Sequence, residues 1–109
     1  MPHIRMSLMT PKQGHGDDVA QIMEDLLKFY RTQPGFIDGY TLRSADEIGD
    51  VGRVTIWRTA ADTDAAAQTP HVLSTRSDLL PLIAEDSHIE RSFHADQPVG
   101  AMPSPGREA

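Results

Sequence analysis

Five histidines are spread along the 109-residue chain, at His3, His15, His71, His88 and His94. Their spacing limits what they could do. Only His88 and His94 lie near one another, six apart, which on a strand turns both to one face. With a third ligand, Glu90 or one from a partner chain, that pair could hold a metal ion, although histidines on a solvated surface are far commoner than ligands. No metal site is therefore expected. Ser74 and Ser77 do not suggest a histidine-activated nucleophile. The acidic neighbours Asp17 with Asp18, Glu24 with Asp25, and Glu85 with Asp86 read as solvated helix ends. There is no cysteine, hence no thiolate chemistry and no disulfide, in keeping with a reducing, cytoplasmic compartment. No glycine-rich loop follows a strand, so the common nucleotide and flavin fingerprints are absent.

Bulk properties exclude further classes. The net charge of −6 repels phosphate backbones, and no basic cluster reverses it locally, so nucleic acid is not an expected partner. No run approaches the roughly 18 apolar residues of a membrane span, and the first six residues lack the order of a signal peptide. With 39% hydrophobic and 24% charged residues, the chain has enough apolar side chains to build a core.

The elements that would position any site follow from periodicity. Residues 3–10 alternate, with Ile4, Met6 and Leu8 forming one strongly apolar strand face. Val19, Ile22, Met23, Leu26, Phe29 and Tyr30 make a continuous helical stripe, which Asp17 or Asp18 could cap and Pro34 with Gly35 ends. Residues 36–44 read as a second strand, with Phe36, Tyr40 and Leu42 in phase and a bulge expected at Gly39. After a loop over 46–52, residues 53–59 form a third strand, with Arg53, Thr55 and Trp57 on one face. A short helical turn over 60–68 precedes a second helix, opened by Thr69 as cap with Pro70 behind it and stopped near Pro81. Residues 89–95 give a fourth strand. The last segment, 97–109, carries three prolines, two glycines and no aromatic residue, and is expected to be a disordered tail beyond a single domain of 1–96.

Strand, helix, strand, strand, helix, strand is the split βαβ order of an α+β, ferredoxin-like fold with a four-stranded antiparallel sheet. Two helices cover one face of such a sheet. The reading puts Trp57 and Met9 on the other face, where a second copy pairing sheet to sheet would hide them, and so predicts a homodimer.

The succession Pro34, Gly35, Phe36, then Gly39, Tyr40, then Leu42, Arg43, Ser44, with Trp57 closing the third strand and Thr69, Pro70, His71 opening the second helix, resembles the antibiotic biosynthesis monooxygenase domains of the dimeric α+β barrel superfamily. The likeness spans about residues 3–96. It implies a barrel-forming dimer with a small apolar pocket between sheet and helices. It also implies, for some members, oxidation of phenols or hydroquinones to quinones by dioxygen without a cofactor. The polyketide oxidisers of the family carry a Trp at the end of the third strand and an Arg on the second helix, positions matched by Trp57 and Arg76. Their Asn four residues before the Trp is Arg53 here, and the Tyr that follows it has no counterpart. The haem-degrading branch uses an Asn on the first strand and a His inside the second helix; Ser7 or Thr10 and no such His stand here, which disfavours haem.

On that resemblance the substrate would be a small aromatic phenol or quinol and the co-substrate dioxygen. Arg76 or Arg53 would hold the phenolate and the superoxide-like charge, His71 would accept the phenolic proton, and Trp57 and Tyr40 would stack on the ring. Each has a structural reading beside it. Trp57 could be core or interface packing, Arg76 a solvated charge near Asp78, His71 a loop contact, Arg53 one half of a cross-strand ion pair, and Tyr40 a packed ring. The competing function is a non-catalytic dimeric module of the same fold that binds a small apolar ligand or fills its own barrel.

Overall fold

The computed structural model describes residues 1–96, so the tail expected over 97–109 lies outside the described residues. Its elements run β1 (His3–Met9), α1 (Gly16–Tyr30), β2 (Phe36–Arg43), β3 (Val51–Trp57), α2 (Ala60–Ala67), α3 (Pro70–Leu79), a 3₁₀ turn (Leu80–Leu82) and β4 (Ile89–His94). The four strands form one antiparallel sheet in the order β2-β3-β1-β4. This is the ferredoxin-like α+β arrangement that the order of elements predicts.

Local chemistry accounts for the helices. The stripe of α1 buries Val19, Met23, Leu26 and Tyr30 against the sheet, each fully buried side chain of this size being worth about 1.5–3 kcal/mol. Neither Asp17 nor Asp18 caps it. His15 holds the cap position without a side-chain bond, and Asp18 instead meets the His15 ring at 3.0 Å. Thr59 caps α2 by accepting from the Asp62 amide, and Thr69 caps α3 by accepting from the Val72 amide, with Pro70 at the first helical position. Pro81 ends α3 in the 3₁₀ turn.

Two details of the strands depart from the sequence reading. The irregularity in β2 lies between Phe36 and Asp38 rather than at Gly39. Strand β3 begins at Val51, so Gly52 is a strand residue and not part of the loop. There is no room at Gly52 for a side chain, because a Cβ would collide with the Ser7 carbonyl of β1. Glycine thus lets β1 and β3 close up beside Ser7 and Arg53.

The larger correction concerns which face is which. Register pairs His3 with Trp57, Arg5 with Thr55, Ser7 with Arg53 and Met9 with Val51, and paired residues share a face. On this face His3, Ser7, Met9, Val51, Arg53, Thr55 and Trp57 are all buried, and it is the face the helices cover. Ile4, Met6 and Leu8, with Val54 and Ile56, point the opposite way and are only half-buried, beside exposed Tyr40, Ile89 and Phe93. The more apolar phase of β1 therefore lies on the uncovered side. Trp57 and Met9 sit under the helices, so they are not what a second copy would hide.

Candidate active site

The helix-covered face carries a polar row across three strands. Ser7 of β1 stands between its register partners, Arg53 of β3 and Glu90 of β4. Above this row α1 lowers Met23 and Leu26, three apart on one helical face, while α3 contributes Val72, Arg76 and Leu79 at spacings of four and three. Leu80, Ile83 and His88 complete the wall. Between sheet and helices remains a cavity of about 30 Å³, apolar toward Met9, Met23 and Leu26 and polar toward Arg53, Ser7, His88 and Glu90. Through Leu80, Ile83 and His88 it borders a wide open depression of about 590 Å³ that also takes in Lys12, Glu85 and Asp86.

Arg53 is the electrostatic centre of this cavity. It is only 7% exposed. Its Nη2 donates to the Tyr30 hydroxyl at 3.3 Å, and its Cζ lies 5.2 Å from the centre of the Tyr30 ring. Its Nε and Nη1 are buried without a partner, and among the described residues no carboxylate pairs with it. A buried guanidinium in that state costs several kcal/mol of desolvation that a bound anion would offset.

Beside it runs a short polar chain. The Ser7 hydroxyl, 1% exposed, donates to Glu90 Oε2 at 3.4 Å and lies 3.4 Å from His88 Nε2. Partial burial pushes the His88 pKa down from its ordinary value; the Glu90 carboxylate opposes this, and the Arg53 and Arg76 cations add to it. A neutral imidazole is the resulting form at neutral pH.

The residues singled out in the sequence fall into two groups. Arg53 and Arg76 line one cavity. Trp57, His71 and Tyr40 do not reach its lining. Trp57 is 1% exposed and meets the Tyr30 and Phe36 rings edge-on at 5.6 and 5.4 Å. His71 is exposed and stacks on Phe29, ring centres 4.2 Å apart. Tyr40 stands on the uncovered sheet face, 57% exposed. Ser7, His88 and Glu90 are the cavity residues that sequence reasoning did not assemble. The available signal was a polar residue, Ser7, in the strand phase that Arg53 shares, together with Glu90 and His88 two apart. Among the described residues no three His, Asp or Glu side chains are grouped to hold a metal ion.

Comparison with solved structures finds the same architecture. SnoaB of Streptomyces nogalater, a cofactor-independent oxygenase, is 19% identical, with a TM-score of 0.77 over 90% of this chain and 96% of that one. An antibiotic biosynthesis monooxygenase assigned in Nitrosomonas europaea is 18% identical, with a TM-score of 0.80 over 89% and 92%. Rv0793 of Mycobacterium tuberculosis is 14% identical, with a TM-score of 0.80 over 91% and 99%. At these identities the likeness speaks for the fold alone. No curated protein matches the sequence. The family profile named antibiotic biosynthesis monooxygenase matches residues 2–77, which takes in Ser7, Arg53, Trp57 and Arg76 and stops before His88 and Glu90. With about seven-tenths of its length matched by that profile, the chain belongs to the antibiotic biosynthesis monooxygenase family.

Proposed function

We propose that this protein is a cofactor-independent monooxygenase that oxidises a small aromatic phenol or quinol with dioxygen in the cavity between sheet and helices. Family membership supports the reaction class, and the buried, half-unpaired Arg53 guanidinium on the cavity lining is the observation that carries it. Such a cation is suited to hold a phenolate oxygen and then the negative charge that passes to dioxygen. The stoichiometry closes without a reductant: a phenol and dioxygen give a quinone and water, one oxygen atom entering the ring and the other leaving as water. Arg76, an exposed side chain on α3, borders the same space. Trp57 acts at one remove, bracing the Tyr30 ring whose hydroxyl receives Arg53.

The cavity's size sets a condition. An apolar cavity of about 150 Å³ takes a benzene ring, and about 30 Å³ is available here. The space suits dioxygen or the oxyanion end of a substrate, and exposed Leu80 stands at its border with the open depression, where the ring would sit. The same small volume favours the competing reading, a non-catalytic module with a filled barrel. Oxygen uptake by the purified protein across a panel of hydroquinones and polycyclic phenols separates the two. Uptake above autoxidation, lost in Arg53→Met, supports the oxygenase; no uptake on a broad panel leaves the module.

The working unit in this reading is a homodimer. Ile4, Met6, Leu8, Val54 and Ile56, extended by Tyr40, Ile89 and Phe93, form one apolar sheet face that no helix among the described residues covers. A second copy laid sheet to sheet removes that surface from water. Among the described residues no helix is long and apolar enough to cross a membrane; the reading takes the cytoplasm as the compartment, a reducing environment that suits a cysteine-free sequence.

A further inference from the structure

Oxidation of a phenol by dioxygen begins with loss of the phenolic proton, and the cavity must supply an acceptor. The residue first considered for this, His71, is stacked on Phe29 away from the lining. Two groups on the lining can take a proton, His88 and Glu90. Glu90 is already engaged as the acceptor of the Ser7 hydroxyl, which leaves the His88 imidazole.

We propose that His88 is the base that takes the substrate's phenolic proton, held for that task by Ser7 and Glu90; the assignment rests on the phenol-oxidising reading above. With Ser7 donating to Glu90, the Ser7 oxygen accepts from His88 Nε2–H, so Nδ1 carries the free electron pair. The phenolic O–H bond breaks, its proton goes to Nδ1, and its electron pair stays on oxygen as a phenolate. Both new charges meet a counter-charge already in place. The phenolate faces the unpartnered Nε and Nη1 of Arg53, and the imidazolium is steadied by Glu90 through Ser7. Partial burial, aided by the Arg53 and Arg76 cations and opposed by Glu90, lowers the His88 pKa and so favours the neutral imidazole. The charged groups around it are Glu90 of β4, Arg53 of β3, Arg76 of α3, and Lys12, Glu85 and Asp86 bordering the open depression. The ring stands at the boundary between cavity and depression, from which the proton can pass on to solvent. His88 and Glu90 lie beyond residues 2–77 that the family profile matches, one just before β4 and the other on it.

The test uses the full chain and 4-nitrophenol, whose phenolate absorbs in the visible. Wild type should bind it as the phenolate below the pH at which it ionises free in solution, whereas His88→Ala should bind the protonated form. Oxygen uptake on an accepted phenol should fall about 100- to 10,000-fold in His88→Ala, the range of general-base catalysis, and recover with added imidazole. In wild type the rate should rise with pH as His88 loses its proton. Glu90→Gln should move that limb to lower pH and Arg76→Gln to higher pH, shifts that a merely structural role would not produce. An unchanged limb and an unchanged bound phenolate fraction in His88→Ala would overturn the assignment while leaving the oxygenase reading standing. If wild type neither binds nitrophenolate nor consumes oxygen with any phenol, the oxygenase reading falls and this inference with it.

Discussion

An Arg53→Met substitution sets stability against function in one residue. The guanidinium is 7% exposed, with Nε and Nη1 unpartnered. Each orphaned donor costs about 1–3 kcal/mol of desolvation. Against this stand one charge-assisted hydrogen bond to Tyr30, worth about 1.5–3 kcal/mol, and a cation–π contact with its ring, worth about 0.5–2 kcal/mol. Methionine keeps an unbranched stem in the same slot and removes the charge. At the middle of these ranges the balance is a net stabilisation of about 0.5 kcal/mol, because a buried cation without a counter-ion is the costlier state. For a domain of this size that raises Tm by about 2–4 °C. The assay is thermal unfolding followed by circular dichroism at one fixed protein concentration, since association also moves Tm, run beside oxygen uptake. Wild type should melt lower and react; Arg53→Met should melt higher and not react. A phenol at 100 times its Kd should add about 2.7 kcal/mol to wild type and little to the variant. A fall in Tm of several degrees in Arg53→Met would refute the reasoning, because it would mean that the guanidinium is satisfied by the protein itself.

Met6→Lys, in the middle of the uncovered apolar face, should yield monomers by sedimentation; a variant that still pairs would remove that face as the interface. Gly52→Ala should lower the urea midpoint by the equivalent of about 1–3 kcal/mol, because its Cβ meets the Ser7 carbonyl; an unchanged midpoint would mean that the two strands can part without cost. His3 is 5% exposed with both ring nitrogens unpartnered, and burial first, then Arg5 and His94, push its pKa below the ordinary value against the opposing pull of Asp64. The unfolded chain then binds a proton near pH 6.5 that the folded chain refuses, so stability is full above about pH 6.5 and falls as pH drops below it. His3→Phe should flatten that slope of Tm with pH, and an equally steep slope would assign the loss to other groups.

Much of the fold was legible because it is local. The stripe of α1, the Thr69 cap with Pro70 behind it, and the break at Pro81 are each written within a few residues. The bulge and the start of β3 were misplaced because glycine signals irregularity without saying of which kind. Gly39 stays in register, and Gly52 is a strand residue that admits a neighbouring backbone. Of the site, Arg53 and Arg76 stand out in the sequence as cations, but periodicity groups Arg53 with Trp57 on the side away from the helices, and only the burial of that face shows that the helices cover it. The trio Ser7, His88 and Glu90 was not, because it exists only once β1 and β4 are paired in register.

The inverted faces of β1 carry the deeper lesson. A period-two pattern identifies an apolar face but not what covers it, and the usual assumption is that the chain's own helices do. Here the helices cover the phase that holds His3, Arg5, Ser7, Arg53 and Thr55, while Ile4, Met6 and Leu8 are left outside. Covering polar side chains with helices costs stability, and His3, Arg53 and Trp57 show that cost as buried nitrogens without partners. Leaving an apolar face open costs again. One molecule offsets neither loss by itself. In the two proposals above, an anionic ligand on Arg53 would answer the first loss and a second copy on the open face would answer the second. The two proposals are therefore linked through the sheet: the pattern that makes β1 look as though it faces the wrong way is what a strand needs when one side meets a partner and the other lines a site.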